Sequence, residues 1–241
     1  MIQLGVVAAL PVEGRCLLGR KIKPGQRVAF GLPSQQVWLE LSGMGPQNAR
    51  RAAQSLLGSG ATALVSWGVA AGLSADLRAG NLVLPKTIIT AEGHTITVDE
   101  TWHRRIYECL SGHIETSAGN LVETITALVS PSEKAILSQR TGAVVADMES
   151  AAIGLVAQQA GIPFLVVRTV VDGYAAHLPP AALAAIDMNG NFQTWRWLKS
   201  VLHHPSQLIA MLTLAQGMFV ARTTLIKTVG LTGPGLKLTP P

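Results

Sequence analysis

Four short apolar runs constrain this chain most. Leu4–Ala9, Val37–Leu41, Thr62–Trp67 and Phe164–Val171 are rich in Val, Leu and Ala and carry few polar positions. A strand with one wet face would alternate apolar and polar residues, whereas a strand covered on both faces reads as a near-continuous apolar run. Between the runs the period changes. After Pro46, residues Ala49, Ala52, Leu56 and Leu57 recur at helical spacing, and Ser150–Ala160 reads as an alanine-rich helix. Leu82–Leu84 and Thr87–Thr90 flank Pro85 as one interrupted strand, and Val144–Ala146 is a short strand. Strands alternating with helices predict an α/β fold with a central mixed, mostly parallel sheet flanked by helices.

The last fifty residues follow another pattern. From Asn191 to about Lys227 the spacing is helical, and Pro205 divides it into two helices. Trp195, Leu198, Val201 and Leu202 mark one face of the first, and Leu208, Leu212 and Ala215 one face of the second. The expected organisation is therefore an α/β domain over 1–190, a helical hairpin over 191–229 on or extending it, and a loose tail over 230–241.

Composition narrows the function classes. Hydrophobic residues make up 48% of the 241-residue chain and charged residues 14%, which excludes disorder and points to large buried interfaces or an apolar partner. The net charge of +5 is scattered, with Arg50–Arg51 and Arg104–Arg105 as the clusters, so no basic stripe for nucleic acid is predicted. Two cysteines, Cys16 and Cys109, give neither a disulfide framework nor a metal motif. The N-terminal apolar run lacks a preceding basic stretch and reads as a strand, not a signal peptide. No run reaches the ~18 uninterrupted apolar residues of a spanning helix. The nearest, Leu208 to Ala221, is broken by Thr213 and Gln216. A cytoplasmic protein without cofactor or metal is expected.

In open α/β sheets, ligands bind beyond the carboxyl ends of the strands. Five segments lie at such ends or at strand-to-helix junctions. They are Glu13, Ser42-Gly43-Met44-Gly45, the glycine-bearing turn Gly68–Gly72 with Ala70 inside it, Asp147-Met148-Glu149, and Asp172. Glycines let backbone approach a ligand, and a helix N-terminus offers unpaired N–H groups. Each segment also has an ordinary structural use: Asp147 and Glu149 suit a first helical turn, Asp172-Gly173 a bend, and Glu13 a solvated loop. Convergence on one sheet edge is what marks them as a site.

Four motifs in order, GVVAALPVE, SGMGPQNA, GVAAGL with AGNLVLP, and VVADMESAAI with VVRTVVD, resemble the purine and uridine phosphorylase superfamily. They are most similar to its methylthioadenosine/S-adenosylhomocysteine nucleosidase branch. The resemblance implies a single-domain nucleoside-phosphorylase-like fold with a C-terminal helical extension. It also implies roles. Met148 and Glu149 would bind the ribose hydroxyls, Asp172 would protonate the purine at N7, Glu13 would activate water, and Arg168 would lie beneath that water and carboxylate. Ser42, Gly43, Gly45, Ala70 and Gly72 would line the substrate site. Asp172 then needs a raised pKa, for which Val170 and Val171 supply apolar neighbours. The chain departs from the family at Val171, where serine is usual, and at Val69 and Ala71, where serine and glycine are usual. These changes remove hydroxyls and make the cavity more apolar.

A carboxylate at position 13 would repel phosphate, which favours water as nucleophile, although Arg15 and Arg50 stand where phosphate donors could be and phosphate remains an alternative co-substrate. The segment after Asp172, with Asn189-Gly190, Trp195–Leu202, Pro205 and Ala221-Arg222, is similar to the hopanoid-associated nucleosidase group. That likeness implies adenosylhopane as a lipid-linked substrate, split into adenine and ribosylhopane; the wider family implies a homodimer, and Trp195 and Trp197 with Arg196, Lys199, Arg222 and Lys227 suit peripheral contact at the inner membrane face. Methylthioadenosine, S-adenosylhomocysteine or futalosine are alternative substrates. A non-catalytic lipid- or nucleoside-binding protein is the reading of a different class.

Overall fold

The computed structural model describes residues 2–23, 25–32, 35–179, 182 and 208–238. Among them, strands β1 (Ile2–Ala8), β3 (Gln35–Leu41), β4 (Ala63–Gly72) and β11 (Phe164–Asp172) form the parallel centre of one mixed sheet. Val6 stands opposite Leu39 on one side and Val65 on the other, and Leu165 opposite Val65 continues the register. β2 (Arg27–Leu32) extends one edge antiparallel to β3.

Both faces of this centre are covered, which is why its strands read as continuous apolar runs. Leu4, Val6, Ala8, Leu39 and Val167 pack against α1 (Pro11–Leu18), α3 (Glu100–Leu110) and a long C-terminal helix, α6 (Leu208–Thr232). Val7, Leu64 and Val166 pack against α2 (Pro46–Gly58) and α5 (Ser150–Ala160). Gly5 and Gly154 let α2 and β11 close in, since a Cβ on either would press on Leu64 or Phe164.

The far side of the sheet differs from the sequence expectation. Gly68–Gly72 is not a turn. It is the second half of the ten-residue strand β4 and stays paired with β11 as far as Ala71. At that end β10 (Val145–Asp147) joins antiparallel, Val145 opposite Gly72 and Ala146 opposite Ala71. Pro85 does not merely interrupt a strand; it separates two with different partners. β5 (Leu82–Val83) pairs with β11 and β8 (Thr116–Ser117), and β6 (Thr87–Ile89) pairs with β7 (Thr95–Thr97) and β9 (Leu121–Glu123). Helix α4 (Pro131–Thr141), capped by Ser130 and Glu133, leads from β9 to β10.

The expected first helix of the C-terminal hairpin, with Trp195 to Leu202 and the break at Pro205, lies outside the described residues. The second is α6, and its inner face differs from the one expected. Gly217, Ala221, Leu225 and Thr228 are buried, whereas Leu212 and Ala215 are exposed. Ile209, Leu212, Phe219 and Ile226 form an apolar stripe on the outside, 51% to 77% exposed. Because the helix runs on to Thr232, beyond the Leu208–Ala221 stretch, it is by length and composition long and apolar enough to cross a membrane, although polar residues interrupt it. Its inner face nonetheless packs on β11, α1 and α3. Nor are residues 233–238 a loose tail. Leu236 is fully buried and its carbonyl accepts from Trp102 Nε1 at 2.6 Å, while Lys237 O accepts from Arg105.

Candidate active site

The chain between β1 and α1 turns sharply, and Glu13 in the first turn of α1 folds back over it. Its Oε2 accepts from the Ala9 and Leu10 amides at 3.0 and 2.8 Å, and its Oε1 accepts from Val69 N at 2.9 Å. Trp67 Nε1 donates to the Glu13 carbonyl, which ties the same turn to β4. Gly68 makes this possible through absence: a Cβ there would overlap both the Glu13 carboxylate and the Arg168 guanidinium. Burial raises the Glu13 pKa, and the charge on Arg168 and the three amides offset part of that rise.

Asp147 and Glu149 divide two tasks that sequence left joined. Asp147 Oδ1 accepts from the amides of Glu149 and Ser150 and so serves the start of α5. Glu149, thus released, turns to the cavity. Its Oε1 accepts from Gly45 N at 2.8 Å, at the N-cap of α2, where φ is +93° and only glycine is unstrained. Burial comes first and the Asp147 charge second in pushing the Glu149 carboxyl up to about 8, with Arg168 opposing.

Arg168, 2% exposed, holds these carboxyls together. Its Nε donates to Asp147 Oδ2 at 2.6 Å, and its Nη2 donates to Ser66 Oγ at 2.7 Å and Ser150 Oγ at 3.2 Å and lies 4.0 Å from Glu149. Burial works against its charge, but Asp147, Glu149 and Glu13 more than offset this and its pKa is raised. One cation facing three carboxyl groups leaves a deficit of positive charge, and the Asp147 charge adds to burial in raising the Glu149 carboxyl.

Asp172 arrives from the end of β11, just after an irregularity in the pairing between Val170 and Asp172. Gly72 on β4 permits that close approach, since a Cβ there would press on the Asp172 carbonyl at 3.2 Å. Burial raises the Asp172 pKa, and Lys134 opposes the rise. Lys134, from α4, is fully buried and donates to Asp172 Oδ2 at 2.5 Å.

Glu13, Ala70, Met148, Glu149 and Asp172 line one cavity of about 200 Å³, with Met44, Val69 and Val171 among its apolar walls. Through Val171, Asp172 and Leu214 it adjoins a groove of about 600 Å³ bounded by α6 and by Arg78 and His177. Gly45 reaches the site through its amide, and Arg168 stands behind the carboxylates without lining the cavity. Ser42 and Gly43 do not line it: the Ser42 hydroxyl donates to Gly43 O, and Ser42 faces a separate hollow with Asn48 and Arg51. Arg15 and Arg50 are exposed and line neither space. Among the described residues no group of His, Cys, Asp and Glu is arranged to hold a metal ion. Sequence reasoning missed Lys134 and the partners of Arg168. Ser66, polar inside the apolar run LVSW, was a usable signal, whereas a lysine in the polar helix of Pro131–Thr141 reads as solvated.

The sequence model of the phosphorylase superfamily matches residues 18–187. No curated protein sequence matches the chain. Among solved structures, the methylthioadenosine/S-adenosylhomocysteine nucleosidase of Neisseria meningitidis, in complex with methylthio-immucillin-A, superposes with a TM-score of 0.72 at 18% identity over 98% of both chains. The corresponding nucleosidase of Helicobacter pylori gives 0.69 at 14% identity, covering 95% of this chain and 98% of that one. Futalosine hydrolase of the same organism gives 0.69 at 15%, covering 95% and 97%. At these identities the likeness is one of fold.

Proposed function

Since the chain belongs to the phosphorylase superfamily, its model matching residues 18–187 of 241, we propose that it hydrolyses the N-glycosidic bond of an adenine nucleoside carrying an apolar 5′ substituent. The observation that carries the reading is the meeting of Glu13, Glu149 and Asp172, from three distant stretches, around one sugar-sized cavity. Glu149 accepts hydrogen bonds from the ribose hydroxyls and fixes the sugar beside Met148. Glu13 takes a proton from the attacking water. Asp172 gives a proton to the purine at N7, so that the base leaves neutral, a contribution of about 10²–10⁴-fold.

Water rather than phosphate is the nucleophile of this reading. The cavity wall contains no lysine or arginine among the described residues to hold a phosphate dianion, and an ionised Glu13 would repel one. The adjoining groove favours a substituent larger than methylthio, because each CH₂ buried there contributes about 0.8 kcal/mol. Adenosylhopane, cleaved to adenine and ribosylhopane, is the substrate of this reading, supported by the apolar wall of the groove and by the sequence likeness after Asp172. Methylthioadenosine, S-adenosylhomocysteine and futalosine, the substrates named for the structural neighbours, are the competitors. The bare stripe of Ile209, Leu212, Phe219 and Ile226 supports a covered surface, either in a homodimer or against lipid. Incubation of the protein with each nucleoside, with and without phosphate, tests the reading. Free adenine and a reducing ribosyl product from the hopanoid, independent of phosphate, are expected. Adenine from methylthioadenosine alone rejects the lipid-linked substrate, a ribose 1-phosphate rejects hydrolysis, and no cleavage of any nucleoside rejects the enzyme.

A further inference from the structure

We propose, resting on the nucleosidase reading above, that Lys134 is a positioning residue that keeps Asp172 supplied with the proton it gives to the leaving base. Lysine is almost never wholly buried unless it is paired, and here the partner is the acid of the proposed reaction. Lys134 is 0% exposed, in the first turns of α4, and all three of its protons are committed: to Asp172 Oδ2 at 2.5 Å, Gly173 O at 2.8 Å and Ala176 O at 3.2 Å. Two of these acceptors are neutral carbonyls that do not take up a proton at ordinary pH. The third is the acid itself. A proton moved from Nζ to Oδ2 leaves the pair neutral overall, so the shift between ammonium–carboxylate and amine–carboxylic acid creates no buried net charge.

The surroundings favour a store of this kind. Asp172 shares its cavity with Glu13, Asp147 and Glu149, and its groove with Arg78 and His177. The other acid at the start of α4, Glu133, is turned away to the Val129 and Ser130 amides. Lys134 is therefore the cation hydrogen-bonded to Asp172. In the reaction the C1′–N9 bond breaks and its electron pair passes to the base. A Lys134 proton moves to Asp172 and passes from it to N7, leaving an amine beside a carboxylate. Water bonds to C1′ and gives its proton to Glu13. That proton returns through solvent to Lys134, and the enzyme is restored.

This role differs in sign from a plain ion pair. If Lys134 only stabilised the Asp172 carboxylate, removing it would make the acid easier to protonate and carry activity to higher pH. If it stores the proton, removing it leaves Asp172 to lose its own, and activity fails at lower pH. The test is Lys134→Met, close in length and apolar, with the pH profile of kcat/KM for adenine release. The expected result is an alkaline limb moved downward, with a loss of tenfold or more at pH 9 and much less at pH 6. An aryl riboside with a nitrophenolate leaving group needs no proton and is expected to change by no more than a few-fold. Lys134→Arg keeps the charge but does not release protons, and is expected not to rescue. A limb that moves up or stays, rescue by arginine, or equal loss on both substrates overturns the proposal. The carboxyl stretching band of Asp172, identified by its loss when Asp172→Asn is added to Lys134→Met, gives a readout without turnover. It is expected to appear near neutral pH in Lys134→Met but not in the wild type, and an unchanged spectrum also overturns the pairing. A wild type that cleaves no nucleoside would instead count against the function, and the infrared result would still decide the pair.

Discussion

Replacing Arg168 by methionine probes the network on which the carboxylates depend. Methionine keeps much of the length and removes the charge and its donors. The 2.6 Å bond to Asp147 is lost, and an uncompensated carboxylate stays in a site where both partners are at most 3% exposed at the side chain. Breaking a buried pair by removing one member costs about 3–5 kcal/mol. For a chain of this length that is about 6–20 °C in melting temperature. The loss is not confined to stability. At 4.0 Å and an effective dielectric of about 20, the attraction between Arg168 and Glu149 is about 4 kcal/mol, equivalent to roughly 3 pH units. Arg168 lowers the pKa values of both Glu149 and Glu13, so both rise further without it. In the proposed reaction Glu13 acts as a base and must be ionised. Activity is lost as pH falls through its pKa, so a higher pKa moves the acid limb of kcat/KM toward neutral. Thermal melts and pH–rate profiles measure the two effects. Arg168→Met combined with Asp147→Asn removes both charges and is expected to recover much of the stability, though not the acid limb. A single variant that melts within about 2 °C of wild type and keeps its acid limb would refute the reasoning.

Glu149→Gln tests the raised carboxyl. A carboxyl whose folded pKa lies near 8, against an ordinary 4.5, stabilises the fold at low pH, and that stability is lost as pH rises through 8. The variant is therefore expected to melt higher than wild type at pH 9 and no higher at pH 5, while KM rises; a pH-independent difference would remove the charge explanation. Gly68→Ala forces a Cβ onto Glu13 and Arg168 and is expected to cost about 1–3 kcal/mol and most of kcat, a loss that urea melts and initial rates would show or deny. Asp172→Asn is expected to lose about 10²–10⁴-fold in adenine release with the fold retained by circular dichroism, and near-normal turnover would remove Asp172 from the chemistry. Leu236→Ala is expected to destabilise by about 2–5 kcal/mol, whereas a trailing tail would tolerate it without effect in a melt.

What sequence made legible was local. The β11 run and the alanine-rich helix α5 stand where their patterns placed them, because a doubly covered strand and a small-residue helix each carry their own period. Glu13, Glu149 and Asp172 were legible as acids at strand ends. The end of β4 was not, because Gly68–Gly72 has the composition of a turn, and what makes it a strand is the presence of β11 and β10 alongside it. Lys134 was invisible for a similar reason: its burial depends on a loop forty residues later, at Gly173 and Ala176. Leu236 was assigned to the tail because glycine and proline surround it, and its docking under Trp102 is a tertiary fact.

Strand β4 hydrogen-bonds to β1, β11 and β10, and the cavity acids come at or just beyond the ends of those three: Glu13 after β1, Asp172 from β11, and Asp147 and Glu149 from the end of β10. No single acid can therefore drift without dragging a shared backbone. The amides of Val69 and Ala70 should exchange with deuterium only as slowly as the whole molecule opens, so that the innermost wall of the reaction chamber is also the last part of the chain to come apart.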